Sequence, residues 1–196
     1  MIVFAICPIY NNEDEHAKVR LLLRRLAMTF CAVDSYSLTE IRSERGKPSF
    51  KERHDVKFSL SHSNSLAAAV IAFPNVLSKD ASICTADFHE IGGKATVISR
   101  SAEADSVGID VQLIDTSVTE EKIARFGKRF PSLETPSKSA EEFFSKWVRA
   151  ESRAKSSGEG LSGLSSSDGE ILHEETISLP DGNYRIAIAA HGTIYK

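Results

Sequence analysis

Residues 58–73 read FSLSHSNSLAAAVIAF, and two different patterns meet in this stretch. Phe58 to Ser61 alternates apolar and polar side chains, which predicts the end of a strand with one buried face. Leu66 to Phe73 is a continuous apolar run, which fits a buried strand or a short helix, and periodicity alone leaves both open. Pro74 and Asn75 then end the run.

The chain before this stretch predicts a strand, a helix and a second short strand. Ile2 to Ile6 is apolar throughout and predicts a buried strand. Asn12, with Glu15 three residues later, is the predicted N-cap of the helix. A short strand near residues 37–41 leads into a turn at 45–48. The apolar side chains of the helix recur at helical spacing: Val19, Leu22, Leu23, Leu26 and Phe30.

The chain after this stretch predicts a hairpin, a strand and a short helix. Residues 82–85 and 95–99 are β-like pieces on either side of a turn at 92–93. Val107 to Leu113 predicts a strand with polar side chains at alternate positions, and Thr119 to Phe126 a short helix.

The last third of the chain predicts a longer helix and two more strands. Ser139 and Glu142 form a capping box for a helix that runs to about Ser156, and a serine-rich loop follows at 162–168. Two strands, 176–179 and 184–190, flank a Pro-Asp-Gly turn. Because helices and strands do not alternate regularly, we expect an α+β fold.

Composition excludes several classes of protein. The 196 residues are enough for one large domain or two small ones, and the net charge of −3 argues against a nucleic-acid or membrane partner. The three cysteines form no CxxC pair and predict no disulfide framework. Neither a basic leader nor an apolar run of membrane-spanning length is found, so we expect a cytoplasmic protein.

Asp110 and Gln112 are the first candidate site residues. Two positions apart on a predicted strand, their side chains project from the same face. A carboxylate and an amide oxygen together form a hard-oxygen site of the kind that Mg²⁺ accepts. Taken alone, an aspartate at a strand edge that bonds a nearby backbone amide is the more common situation.

Trp147, Glu151 and Lys155 are one helical turn apart and share a face of the predicted long helix. Glu151 and Lys155 could form an ordinary surface ion pair, worth about 0.3–0.5 kcal/mol. The tryptophan on the same face favours an interior or cleft position instead. There, a partly desolvated carboxylate and ammonium suit contact with a metal and a phosphate.

Two short motifs add polar groups that could bind phosphate. Ser61 and His62 lie in an SHS tripeptide at a strand end, although a turn-capping role is the usual one for such residues. The fragment GKPS at 46–49 lacks the upstream glycine of a P-loop, so it predicts a turn that offers Lys47 and backbone groups to a ligand.

In this order, the motifs resemble those of the 4′-phosphopantetheinyl transferase superfamily, of the surfactin-synthetase-activating type. Four segments carry the resemblance: GKPSF at 46–50, FSLSHS at 58–63, GIDVQ at 108–112 and WVRAESRAKSSGEGL at 147–161. The family's patterns are close to GKPxF, FNxSHS, GIDxE and WxxKEAxxKxxGxGL, and the last is the most specific. The resemblance covers residues 45–161 with one interruption.

The resemblance implies an architecture and a reaction. Two similar α+β halves would pack as a pseudo-dimer with the ligand cleft between them: residues 1–106, with an insert at about 74–106, and residues 107–196. The enzyme would move the phosphopantetheine arm of coenzyme A, its co-substrate, to a serine of an apo acyl or peptidyl carrier protein. It would use Mg²⁺ and act as a monomer.

The resemblance also implies roles for single residues. Asp110 and Glu151 would bind Mg²⁺, with Gln112 where many members have a third carboxylate. Lys155 would contact the phosphates, and Asp110, Glu151 and Lys155 would form the catalytic set. The remaining coenzyme A contacts would come from Lys47 and Pro48 at the adenine and from Ser61 and His62 at the 3′-phosphate.

Two alternatives have support in the sequence. A non-catalytic homologue that binds coenzyme A or a carrier protein would explain Gln112, and Ala150, which stands where a lysine is usual. An unrelated Mg²⁺-dependent phosphate-cleaving enzyme would explain the acidic residues but not the ordered motifs.

Overall fold

The computed structural model of the chain describes residues 1–31, 38–44, 46–74, 84–100, 103–129, 137, 139–160, 164 and 168–193. In these residues, helices mix with antiparallel sheets without regular alternation, so the predicted α+β class is confirmed. The elements in chain order are β1 Ile2–Pro8, α1 Glu15–Phe30, β2 Glu40–Arg42, β3 Pro48–Phe50, β4 Lys57–Ser63, β5 Leu66–Ala72, β6 Thr85–Phe88, β7 Gly93–Ser99, β8 Glu103–Leu113, α2 Glu120–Arg129, α3 Ala140–Ser157, β9 Glu170–Leu179 and β10 Gly182–Thr193.

The larger sheet has five strands in the order β4-β5-β1-β7-β6, and every neighbouring pair is antiparallel. The apolar run at 66–73 is therefore a strand, β5, and the helical alternative is wrong. Every residue of β5 is buried because both faces of the sheet are covered. A strand covered on both faces needs apolar side chains at consecutive positions, and this removes the alternation that marks a half-exposed strand.

The two faces of this sheet form two separate cores. On one face, Val3 and Ala5 pack with the apolar side of α1, including Leu22 and Leu26. On the other face, alternate residues of β1 and β5 pack against the second sheet, which has three strands in the order β8-β10-β9. Helix α3 packs on β8 and β10 of that second sheet.

Several local predictions can be compared with the structure. The N-cap of α1 is Asp14, whose carboxylate accepts a hydrogen bond from Ala17 N, so the prediction of Asn12 is wrong. Asn12 instead has a φ of 73° in the preceding turn, away from the extended conformation an N-cap adopts. The N-cap of α3 is Ser139, as predicted, and it accepts a hydrogen bond from Glu142 N.

The segment predicted as an insert contributes to the larger sheet. Its two strands, β6 and β7, form a hairpin as predicted, but β6 begins at Thr85, where the predicted first piece ends. β7 pairs directly with β1. Residues 75–83 and most of the predicted loop at 162–168 lie outside the described residues. The predicted boundary at 106–107 falls inside β8. Among the described residues, no helix is long and apolar enough to cross a membrane.

Candidate active site

The serines of β4 join the two sheets along one edge of β8. One edge of β8 pairs with β10, and this leaves alternate N–H groups pointing the other way. Three of these N–H groups donate to serine hydroxyls of β4 at 3.1–3.2 Å: Ile109 N to Ser59, Val111 N to Ser61 and Leu113 N to Ser63. We call Ser59, Ser61 and Ser63 the serine ladder. Its hydroxyls accept hydrogen bonds from these three N–H groups of β8, so the groups are satisfied without backbone pairing.

Helix α3 approaches β8 most closely at Gly108. A Cβ atom at this position would lie 2.0 Å from Ser152 O and 2.5 Å from Ser156 N. Only glycine permits this approach of a strand to a helix backbone. The close contact places the α3 residues Glu151 and Lys155 opposite Asp110, which lies two residues after the glycine.

Asp110, Glu151 and Lys155 form a partly buried charged cluster, which we call the acidic centre. Lys155 Nζ lies 2.6 Å from Asp110 Oδ1 and 4.0 Å from Glu151 Oε2. Burial raises the pKa of Glu151 to about 7, and the negative charge of Asp110 adds to this rise while Lys155 opposes it. Glu151 therefore titrates near neutral pH, where a carboxyl group can accept or release a proton during a reaction.

The acidic centre has the features expected of a cation site. Asp110 is 4% exposed, and no donor among the described residues bonds its second carboxylate oxygen, Oδ2, which is buried. The Glu151 carboxyl, when it is protonated, can also donate a hydrogen bond to the Asp110 carboxylate, and this contact helps to raise the Glu151 pKa. Gln112 Nε2 lies 3.4 Å from Ser63 Oγ, which leaves the amide oxygen available. No group of three or more His, Cys, Asp and Glu side chains with metal-site geometry occurs in the described part of the chain. Since Mg²⁺ commonly takes one or two protein carboxylates, with substrate phosphate and water completing its shell, the donor set fits this ion.

A cavity of about 290 Å³ lies beside the acidic centre, and we call it the cationic cavity. Lys155 belongs to its wall and so connects the two sites. Among the described residues, no aspartate or glutamate lines this cavity. Its wall contains basic side chains from four parts of the chain: His16 and Arg20 from α1, Arg42 from β2, Lys47 from the following turn, and His62 from β4.

Lys47 has a structural contact in addition to its place in the cavity wall. Its ammonium donates to Ser106 Oγ and to the Ser156 carbonyl in the last turn of α3. A cation at this end of a helix satisfies a terminal carbonyl and interacts favourably with the helix dipole. Burial lowers the pKa of Lys47 to about 8, and Lys57 contributes to the decrease. Lys47 thus fastens the GKPS turn to α3, and Pro48 lines the cavity next to it.

The residues singled out in the sequence fall into two groups. Asp110, Glu151 and Lys155 meet in the acidic centre, with Gln112 on the same strand. Lys47, Pro48 and His62 line the cationic cavity, whereas Ser61 is not part of its wall and contacts Asp110 and Lys155 instead. Trp147 is half-buried and packs on the rings of Phe126 and Phe143, with centroids 5.8 and 6.1 Å away.

The sequence analysis missed His16 and Arg42. His16 lies in the first turn of α1, and its ring is 4.9 Å from that of His62. Arg42 pairs with Pro48 across the β2–β3 hairpin, and this pairing brings it to the cavity. The short spacing between Arg42 and the GKPS turn is the one signal that could have suggested its position.

Packing explains why residue 150 is an alanine. Its side chain is 7% exposed and belongs to a third apolar cluster with Ile114, Ile123 and Phe144. A lysine at this position would bring an ammonium group into apolar surroundings, at a large cost in desolvation free energy. In this chain, the alanine is therefore a core residue of the α3 face.

Comparison of the chain with models of protein families gives no match, and comparison with curated proteins gives none either. The resemblance to phosphopantetheinyl transferases consequently depends on the four sequence segments and on how well the site suits that chemistry.

Proposed function

We propose that this protein transfers the 4′-phosphopantetheine arm of coenzyme A to a serine of an apo acyl or peptidyl carrier protein, with Mg²⁺. One observation carries the proposal: a cavity with basic walls ends at Lys155, whose ammonium also binds the buried Asp110 beside Glu151. A ligand with phosphates in the cavity would thus have its reacting pyrophosphate next to two carboxylates and a lysine.

The cationic cavity suits the nucleotide end of coenzyme A. Arg20, Arg42 and His62 provide cationic or hydrogen-bonding groups, and phosphate oxygens accept strong charge-assisted hydrogen bonds from such donors. Arg20 pairs with Glu40 and His62 with Glu15, so a phosphate would compete with these two carboxylates. Val19, Phe58 and Leu60 provide apolar wall for the adenine. We further propose that the α1-covered sheet and the α3-covered sheet correspond to the halves 1–106 and 107–196, with the cavity as the cleft between them.

The acidic centre suits phosphoryl transfer to a serine. Asp110 and Glu151 would hold Mg²⁺ with Gln112, and the bound ion would neutralise charge on the pyrophosphate. Glu151 takes the proton of the attacking serine directly or through water. The serine oxygen forms a bond to the phosphorus that carries the pantetheine arm, and the bond to the leaving 3′,5′-ADP breaks. Lys155 stabilises the phosphoryl oxygens during this step.

Intact-protein mass spectrometry tests the proposal directly. Apo carrier proteins from fatty-acid, polyketide and peptide-synthetase pathways are incubated with the protein, coenzyme A and Mg²⁺. We expect a mass gain of one phosphopantetheinyl group on at least one carrier, abolished by EDTA. Coenzyme A binding without any mass gain would favour the non-catalytic alternative, and release of a cleaved nucleotide without carrier modification would favour a phosphate-cleaving enzyme.

A further inference from the structure

The three members of the serine ladder have the same backbone role, but only one of them also contacts the acidic centre. Ser59, Ser61 and Ser63 are all buried, with 6–8% of their surface exposed. Each accepts a hydrogen bond from the opposite edge of β8. Beyond that shared bond, Ser59 makes no contact with a charged side chain among the described residues, and Ser63 contacts the amide of Gln112.

Ser61 uses every hydrogen-bonding position of its hydroxyl. Its proton goes to Asp110 Oδ1 at 3.0 Å, and its oxygen accepts from Val111 N at 3.2 Å and from Lys155 Nζ at 3.1 Å. A serine hydroxyl has one donor hydrogen and two acceptor lone pairs, so all three positions are occupied. Ser61 does not line the cationic cavity, whereas Ser59, two residues earlier in β4, does.

We propose that Ser61 is a positioning residue for Asp110 and Lys155 and does not bind a phosphate. Ser61 and Lys155 both bond Asp110 Oδ1 and thereby fix the plane of the carboxylate. The other oxygen, Oδ2, stays buried and unpartnered within the described part of the chain, and is the oxygen available for a cation. This inference rests on the proposed function for the identity of the cation and of the phosphate ligand.

The two possible roles of Ser61, positioning residue and phosphate ligand, predict different changes in metal binding and in coenzyme A binding. Loss of a residue that positions a metal ligand commonly weakens metal binding by about 10- to 100-fold. Loss of a ligand of the 3′-phosphate would instead weaken coenzyme A while leaving 3′-dephospho-coenzyme A unchanged. The ratio of these two affinities therefore distinguishes the roles.

The test compares Ser61→Ala with Ser59→Ala, which removes an equivalent backbone acceptor that contacts none of Asp110, Glu151 and Lys155. Because Ser59 lines the cationic cavity, this variant is the control for metal binding only. Mn²⁺, which accepts the same oxygen ligands, is titrated into the protein alone and followed by electron paramagnetic resonance. Coenzyme A and its 3′-dephospho form are titrated separately by calorimetry. Ser61→Thr, which keeps the hydroxyl, is the conservative variant, and Ser61→Cys replaces Ser61→Ala if the alanine variant does not fold.

We expect Ser61→Ala to weaken Mn²⁺ binding by about tenfold or more and to leave the ratio of the two coenzyme affinities unchanged. Ser59→Ala should leave Mn²⁺ binding unchanged, and Ser61→Thr should restore it. Unchanged Mn²⁺ binding in Ser61→Ala, or a wild-type protein that binds no Mn²⁺, would overturn the inference. A lower ratio of coenzyme A affinity to 3′-dephospho-coenzyme A affinity in Ser61→Ala would overturn it too, because it would make Ser61 a phosphate ligand. If the wild-type protein binds Mn²⁺ but neither coenzyme, the proposed function fails while the Mn²⁺ titrations still decide the role of Ser61.

Discussion

The acidic centre and the cationic cavity share Lys155 but are built in opposite ways. Asp110 and Glu151 project from β8 and from the long helix α3, whose backbones are fixed against each other at Gly108. The cavity wall is assembled from α1, the short β2–β3 hairpin and β4, and Arg20 has 38% of its side chain exposed. A site that orients reacting atoms needs rigid support, whereas a site that attracts phosphates needs mainly positive charge. Substitutions should therefore affect the two sites differently.

The largest effect is expected at the acidic centre. Glu151→Gln should lower the transfer rate by about 10³-fold or more, because the amide cannot accept the serine proton and is a poorer metal ligand. Coenzyme A binding should change by less than about threefold, since Glu151 is not part of the cavity wall. The rate is followed by mass spectrometry, with the exposed carboxylate Glu141→Gln as a control. Transfer at close to the wild-type rate would remove Glu151 from the catalytic set.

The contact that supports the acidic centre can be broken at Gly108. Gly108→Ala would push a methyl group into the backbone of α3, and we expect the free energy of unfolding to fall by roughly 3 kcal/mol. Gly93→Ala is a matched control in the larger sheet, where the nearest atom would be 3.2 Å from the new Cβ. Denaturant unfolding of both variants measures the difference. Equal stabilities would mean that α3 does not lie as close to β8 as described.

A smaller effect is expected at the cationic cavity. Arg20→Gln should weaken coenzyme A binding by roughly fivefold, because it removes one partly solvated charge from the wall. Arg24→Gln lies one turn further along α1, is exposed and does not line the cavity, so it should have little effect. Calorimetric titrations at two salt concentrations should show the difference shrinking at the higher salt. An equal loss in both variants would indicate a general charge effect.

The pH dependence of metal binding should come from the acidic centre. Because the pKa of Glu151 in the metal-free protein is about 7, Mg²⁺ must displace a proton below that pH, and affinity should rise about tenfold from pH 6 to pH 8. Between about pH 4.5 and pH 7, Glu151 keeps its proton in the folded protein but loses it in the unfolded chain, where its pKa has the ordinary value of 4.5. The free energy of unfolding should therefore fall as pH rises from about 4.5 through 7. Calorimetry in buffers of different ionisation enthalpy, with Glu151→Gln as control, counts the released proton.

The smallest effect is expected at Gln112, the proposed third metal ligand next to the acidic centre. Gln112→Glu adds a negative charge and should tighten Mg²⁺ binding by about threefold, while coenzyme A binding without metal stays the same. Gln112→Ala should weaken Mg²⁺ binding if the amide oxygen is a ligand. Identical Mg²⁺ titrations for all three proteins would exclude residue 112 from the metal shell.

The sequence predicts which side chains share a face when the residues are close together in the chain. Glu151 and Lys155 share a face because they are one turn apart in α3, and Asp110 and Gln112 because they are two apart in β8. The capping of α3 at Ser139 also depends on local geometry alone. At the start of α1, the predicted cap Asn12 lies two residues before the actual cap, Asp14, which occupies the position from which a side chain reaches a free N–H group.

The amino-acid sequence by itself determined the α+β class, the long helix with its Glu151–Lys155 pair and the order of the motifs, because these depend on periodicity and on turn and cap residues. Tertiary structure alone decided that β5 is a strand covered on both faces, that β7 completes the larger sheet and that Arg42 reaches the cavity. It also brought Ser61 into contact with Asp110 and Lys155. These features depend on pairings between residues far apart in the chain, and such pairings are set by which surfaces bury one another rather than by local spacing.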